Sequence, residues 1–232
     1  MLKVILNVFI VAACILNVSA QEQSLESKQV SDLIEKARLY MGDQKDYRKA
    51  IESLEKAAML APDNPKIFLN LGANYLYLDK LDKAEENFKK AVSLDPTYIE
   101  AYNNLATLYR ISEKYDLAIQ HYKKAIEFNP QYAEVYTNLG MTYNRVEQYK
   151  EAIKVLSKGL ELKPLSRSQE AHKALTYMNI GYAYFVLGEY SLAKNSLFKA
   201  VELYKSLGDH VRLNYLNFLL NQIEKDRKGK SK

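Results

Sequence analysis

Apolar and small residues recur at fixed distances through most of this chain. Counted from Ser31 in steps of 34, position four of each unit is large and apolar: Ile34, Phe68, Tyr102 and Tyr136. Position eleven is Met41, Tyr75, Tyr109 and Tyr143, and position twenty is always alanine, at Ala50, Ala84, Ala118 and Ala152. Position twenty-seven is Ala57, Ala91, Ala125 and Gly159, and Pro62, Pro96, Pro130 and Pro164 close the units. A fixed period of this size predicts an array of stacked supersecondary units, here 31–64, 65–98, 99–132 and 133–166. The large columns are read as filler between helices. The small ones let helix axes approach where a larger side chain would collide. Each proline falls where a second helix has to stop. No segment carries a strand signal.

Taken together, the period and these columns resemble the tetratricopeptide repeat family. The resemblance implies an all-α fold, a TPR superhelix (an α-solenoid of helix-turn-helix repeats). The first repeat departs from the family pattern, with Ala37-Arg38 in place of Leu-Gly, as terminal repeats often do. A fifth repeat, 174–207, is carried by Tyr177, Ile180-Gly181, Tyr184, Gly188, Tyr190, Ala193 and Ala200. It follows the fourth by 41 residues, since Gly181 aligns with Gly140, and the extra residues between 165 and 173 lengthen its first helix. Residues 208–226 then form a capping helix, with Val211, Tyr215, Leu216, Leu219 and Ile223 on one face covering the end of the array.

The flanks differ in character. Residues 1–20, MLKVILNVFIVAACILNVSA, read as an export signal, with Lys3, a short apolar run and small residues Val18-Ser19-Ala20 before a polar turn. The run is short of the roughly 20 apolar residues that span a bilayer. Val11-Ala12-Ala13-Cys14 also resembles a lipobox, which would make Cys14 a lipid attachment site and place the protein on a membrane. The expected location is the periplasm or cell envelope, with a membrane-anchored lipoprotein as the alternative. Residues 21–30 read as a linker that becomes helical near its end, and 227–232 as a disordered basic tail. Of the net charge of +5, one unit is Lys3 and four are the surplus of residues 225–232, so the repeat body is balanced. That balance argues against a nucleic-acid groove. Cys14 is the sole cysteine, and His121, His172 and His210 show no ligand spacing, so neither a disulfide nor a metal site is expected.

No nucleophile motif, phosphate loop or cofactor fingerprint is present, and the chain reads as a non-enzyme without cofactor or small-molecule substrate. One column calls for another explanation. Position six holds Asn70, Asn104, Asn138 and Asn179, although asparagine is a mediocre helix former. In the family this position faces the concave groove. The column resembles the asparagine ladder of a sugar transferase with the same repeats, where amides pair with the backbone of an extended peptide. A carboxamide offers both donors and an acceptor, matching a peptide unit without reading its side chain. Local bonding of the amides is the competing reading. Asn103, Arg110 and Tyr182 join the four as candidate peptide-binding residues. The family's carboxylate clamp is missing, since position five holds Glu35, Leu69, Asn103 and Thr137 and position two of the third and fourth repeats holds Glu100 and Glu134. The function implied is an envelope protein-interaction scaffold gripping an extended segment of a partner; the alternative is a self-associating structural repeat protein.

If residues 1–20 are a cleaved signal, mass spectrometry of the protein from its native compartment will find Gln21 at the N-terminus. A lipidated Cys14 or an intact Met1 would overturn this.

Overall fold

The computed structural model describes residues 24–42, 45–162 and 168–229. Eleven α-helices and no strand occur among them. They are α1 (24–42), α2 (Tyr47–Leu60), α3 (Pro65–Tyr77), α4 (Leu81–Leu94), α5 (Ile99–Ile111), α6 (Tyr115–Phe128), α7 (Ala133–Arg145), α8 (Tyr149–Glu161), α9 (Ser168–Val186), α10 (Tyr190–Leu207) and α11 (His210–Gly229). The all-α class expected from the sequence is the one observed. The chain divides into two compact units, one ending at Pro96 and the other beginning at Thr97.

The turn inside each repeat is built the same way. The residues that follow the first helix, Lys45, Asp79, Glu113, Glu147 and Gly188, all have positive φ, between 50° and 78°. From the second repeat on, they close a Schellman motif. Asp79 N–H donates to the Leu76 carbonyl and Lys80 N–H to the Tyr75 carbonyl, at 3.0 and 2.9 Å. Glu113/Lys114, Glu147/Gln148 and Gly188/Glu189 repeat the pair of bonds. Carbonyls left over at the helix end are thereby satisfied. The second residue of each pair is at once the N-cap of the next helix, and none of these N-caps uses its side chain. Only one of the five positive-φ positions is glycine, so the other four carry the left-handed penalty that a Cβ imposes.

In the first unit, α3 packs against both α2 and α4. Asp46 and Asn64 cap α2 and α3, their side-chain oxygens accepting from Lys49 and Lys66 N–H, both at 3.1 Å. The Tyr75 hydroxyl donates to Glu55 across the α2–α3 contact at 3.1 Å, and the Tyr47 and Tyr77 rings stack with centroids 4.8 Å apart. Glycine is required at Gly72, where a Cβ would lie 2.5 Å from the Phe88 ring on α4.

In the second unit, α5 to α11 pack in sequence, and α7 also touches both α5 and α9. The alanines of position twenty are fully buried in both units, as are Ala57, Ala91 and Ala125. A Cβ at Gly140 would lie 2.3 Å from Leu156 Cγ, so the Leu156 side chain of α8 packs directly on the α7 backbone there. The C-terminal core gathers Leu197, Val201 and Tyr204 of α10 with Leu216, Leu219 and Ile223 of α11. Lys194 and Glu224 form an ion pair across the same two helices. Burying three side chains of this size stabilises the α11 contact by roughly 1.5–3 kcal/mol each.

Three expectations need correction. The first helix begins at 24, inside the stretch 21–30 read as a linker. Residues 24–29 are all exposed, so their polarity reflects solvent contact and not a lack of helix. Helix α11 runs to Gly229, into the stretch 227–232 read as a disordered tail, and Lys225 and Asp226 before it are exposed and polar in the same way. Val211 and Tyr215 do not share the buried face of α11. They are 81% and 44% exposed and form, with Phe218 at 55%, an i, i+4, i+7 stripe beside the buried one. Leu216 is one residue, hence about 100° of helix, away from Tyr215. The expectations for residues 1–20, for Cys14 and for Pro164 fall outside the described residues.

The turn geometry makes a prediction. Glu147→Gly removes the left-handed penalty and, after the added freedom of the unfolded chain, raises stability by about 0.5–1 kcal/mol, or roughly 1–4 °C in Tm. Gly188→Val lowers it, and a neutral Gly188→Val in thermal melting would contradict the assignment.

Candidate functional site

Helices α5, α7 and α9 are the first helices of successive repeats, and polar side chains tie each to the next. Asn138 Nδ2 on α7 donates to Asn103 Oδ1 on α5 at 3.0 Å, and Asn103 Nδ2 donates to Glu134 Oε1 at 3.3 Å. The other oxygen of Glu134 lies 3.9 Å from His172 Nε2 on α9, so one carboxylate reaches both neighbours. Burial, with Glu134 and Glu100 close by, pushes the Tyr132 phenol up to about 12 and keeps it neutral. Farther along, Thr137 and Thr176 meet through their hydroxyls at 2.8 Å. Thr176 gives its only proton to the His172 carbonyl at 2.7 Å, so Thr137 is the donor of that pair. Finally Asn144 Nδ2 donates to the Asn179 carbonyl at 3.1 Å and reaches its Oδ1 at 3.4 Å, while Asn179 Nδ2 donates to the Leu175 carbonyl at 2.8 Å.

The asparagine column therefore divides. Asn138 and Asn179 are half-buried and engaged between or within helices, and Asn103 is 3% exposed with both ends of its amide used inside the protein. Asn103 thus belongs to the inter-repeat packing and presents nothing to a peptide, a correction to its assignment as a peptide-binding residue. Asn104 on α5 is half-buried, and its amide makes no hydrogen bond among the described residues. Asn70 lies in the first unit, on α3, where only its backbone carbonyl is used, accepting from Asn74 Nδ2 at 2.8 Å.

Arg110 and Tyr182 meet in a cavity of about 250 Å³. Arg110 comes from the last turn of α5, Asn144 and Arg145 from the end of α7, Met178 and Tyr182 from α9 and Tyr215 from α11. The Arg110 guanidinium is within hydrogen-bond reach of the buried Tyr122 hydroxyl, which also meets Thr107 Oγ1 at 2.9 Å. Tyr182 packs edge-on against Tyr149, with centroids 6.3 Å apart. Met178, Tyr182 and Phe185 also pack against the C-terminal core. Among the described residues no carboxylate lines the cavity. Two of its polar atoms, Arg110 Nε and Asn144 Oδ1, are buried without a hydrogen-bond partner. Burial raises the Tyr215 phenol above its usual value, and Arg145 pulls it the other way. Among the described residues no group of three His, Cys, Asp or Glu is placed to hold a metal ion. No helix there is long and apolar enough to cross a membrane.

Family models described as tetratricopeptide or TPR repeat match residues 33–64, 65–98, 87–120, 106–146, 133–164 and 174–210. These are tetratricopeptide repeats. Among curated proteins none matches the chain. Solved structures do. MamA is 28% identical over 73% of this chain and 95% of its own, with a TM-score of 0.62. TTC0263, a thermophilic TPR protein of Thermus thermophilus, is 22% identical over 82% of this chain and 99% of its own, at 0.64. YrrB, a TPR protein with an unusual peptide-binding site, is 21% identical over 90% and 97%, at 0.60. The last two establish the shared fold alone. As a TPR protein the chain is of the protein-interaction scaffold class.

Sequence reasoning passed over Arg145 and Tyr215 of this TPR chain as site residues. Tyr215 could not be placed without knowing where α11 packs. Arg145 ends α7 two residues after Tyr143, a core residue of position eleven, and nothing in its spacing marks it. Asn138→Ala leaves Asn103 Oδ1 buried without a donor and costs about 1–3 kcal/mol. Thermal melting of Asn103→Ala, Asn138→Ala and the double variant will show coupling between the two; independent effects would remove the inter-repeat role.

Proposed function

We propose that this chain is a non-enzymatic scaffold whose first-helix face, in the second unit, holds an extended segment of a partner protein. One observation carries the reading: Arg110 Nε and Asn144 Oδ1 are unpartnered polar atoms of residues that line one small cavity with the aromatic side chain of Tyr182. Asn104, on the same helix as Arg110, has an amide without a hydrogen bond among the described residues. Buried polar atoms without partners cost free energy in the isolated protein, and a partner that supplies their hydrogen bonds recovers it. At about 250 Å³ the cavity is below the roughly 300–1,000 Å³ of small-molecule sites and suits one or two side chains of a larger partner. The family supports the same class of function. The export signal read in residues 1–20 would place this scaffold in the cell envelope.

A second reading is favoured by the exposed stripe Val211, Tyr215 and Phe218, an apolar face on which two copies of α11 could meet. The two readings separate in one set of measurements. For the scaffold, partners recovered with the wild-type protein are lost with Asn104→Ala/Tyr182→Ala, while sedimentation shows a monomer at every concentration. Partners retained by a variant that melts normally would sink the scaffold reading. A dimer abolished by Phe218→Glu would establish self-association in its place.

A further inference from the structure

We infer that the cavity between α5, α7, α9 and α11 is an anchor for an acidic side chain, Glu or Asp, of the partner's extended segment. The inference rests on the scaffold reading above and names the chemistry it leaves open. Two arginines, Arg110 and Arg145, line a space that no carboxylate among the described residues shares. Neither arginine forms an ion pair among the described residues. Their charges are therefore available, and in a repeat body of zero net charge they make a local site and not part of a general basic field. Planar guanidinium donors match a carboxylate, and the hydrogen bonds are charge-assisted.

The orphaned atoms refine the match. Arg110 Nε is a donor buried without an acceptor, although the guanidinium as a whole is within reach of the Tyr122 hydroxyl. Asn144 is 8% exposed, and its Oδ1 is an acceptor with nothing to accept. Rotating the amide does not help, because Nδ2 already donates to Asn179, and the exchange would set two oxygens against each other. A ligand that fits must bring both an anion for the arginines and a donor for Asn144. An acidic residue within a peptide brings both, the carboxylate on its side chain and the N–H on its backbone. The methylene stem would lie along Met178, Tyr182 and Tyr215, which supply the apolar wall. A free chloride or sulfate, having no N–H or O–H, supplies only the first half of this match. Tyr215 makes α11 part of the site, so the terminal helix does more than cover the end of the array.

The test uses the full chain and blocked, fluorescein-labelled octapeptide pools. Each pool has one central position fixed as Glu, Gln, Leu or Lys and uncharged residues elsewhere, and binding is read by anisotropy. The Glu pool is expected to bind wild type about tenfold or more tighter than the Gln pool. Arg110→Gln/Arg145→Gln should abolish that preference while leaving binding of the Leu pool intact. Because Arg110 supports Tyr122, Arg145→Gln alone, at an exposed position, is the variant that keeps the test decisive if the double variant fails to fold; it should lose most of the preference. Equal binding of the Glu and Gln pools overturns the inference and leaves the scaffold reading standing. Failure of every pool to bind overturns both. A preference for Glu that survives loss of both arginines puts the acid elsewhere and overturns the inference. So does competition by N-acetylglutamate amide at the same concentration as the pool, which would make this a small-molecule site.

Discussion

Within each repeat two helices approach so closely that a large side chain of one packs directly on a glycine or alanine of the other, and the rest of the structure depends on that approach. At Gly140 and Gly181 the place of a Cβ is taken by Leu156 and Leu197 from the facing helix, and at Gly72 by Phe88. The alanines of position twenty and Ala57, Ala91 and Ala125 are fully buried for the same reason. Close axes bring the large columns into mutual contact and make the small apolar core of each repeat adequate. They also fix which face each first helix turns toward its neighbours. The polar connectors and the cavity both arise on faces that this packing has already oriented.

The connectors are unusual in composition for a packed interface. Between α5, α7 and α9 the contacts include an asparagine pair, a threonine pair and a carboxylate shared by two neighbours. Each is close to satisfied, which makes burial tolerable. Among the described residues four buried side-chain atoms lack a partner; two, Asn74 Oδ1 and the Tyr204 hydroxyl, lie outside these connectors, and the other two fall together. Asn144 Oδ1 and Arg110 Nε belong to the same cavity, where the chain of bonds stops short of α11. Under the scaffold proposal, that incomplete edge is where a partner would supply the missing bonds.

The large and small columns were readable from spacing alone, because a 34-residue period shows itself in every unit. The turns were less so. Left-handed backbone is signalled by glycine, and here glycine stands at Gly188 alone, with Lys45, Asp79, Glu113 and Glu147 in the equivalent places. Only their register with Gly188, across the 41-residue step, would have revealed the shared geometry. The asparagine column was conspicuous, but composition cannot say whether an amide faces solvent or the next helix. Asn103 spends its amide on the next helix and Asn104 does not, although the two are adjacent and chemically identical. On α11 the sequence offers two apolar stripes one residue apart, and only packing chooses between Leu216 and Tyr215.

The bonds between first helices have a mechanical side. Apolar packing is nearly indifferent to sliding, and one ridge passes its neighbour with a period of about one helical turn, roughly 5.4 Å. Asn138 to Asn103, Thr137 to Thr176 and Asn144 to Asn179 are directional and short, and all three close only at a single offset. They act as detents. Within this unit a displacement of one repeat along its axis must break its set of bonds together, so the stack resists shear while still allowing the helices to tilt about the contacts. A partner lying across several repeats would then meet a surface whose spacing is constant even when its curvature changes.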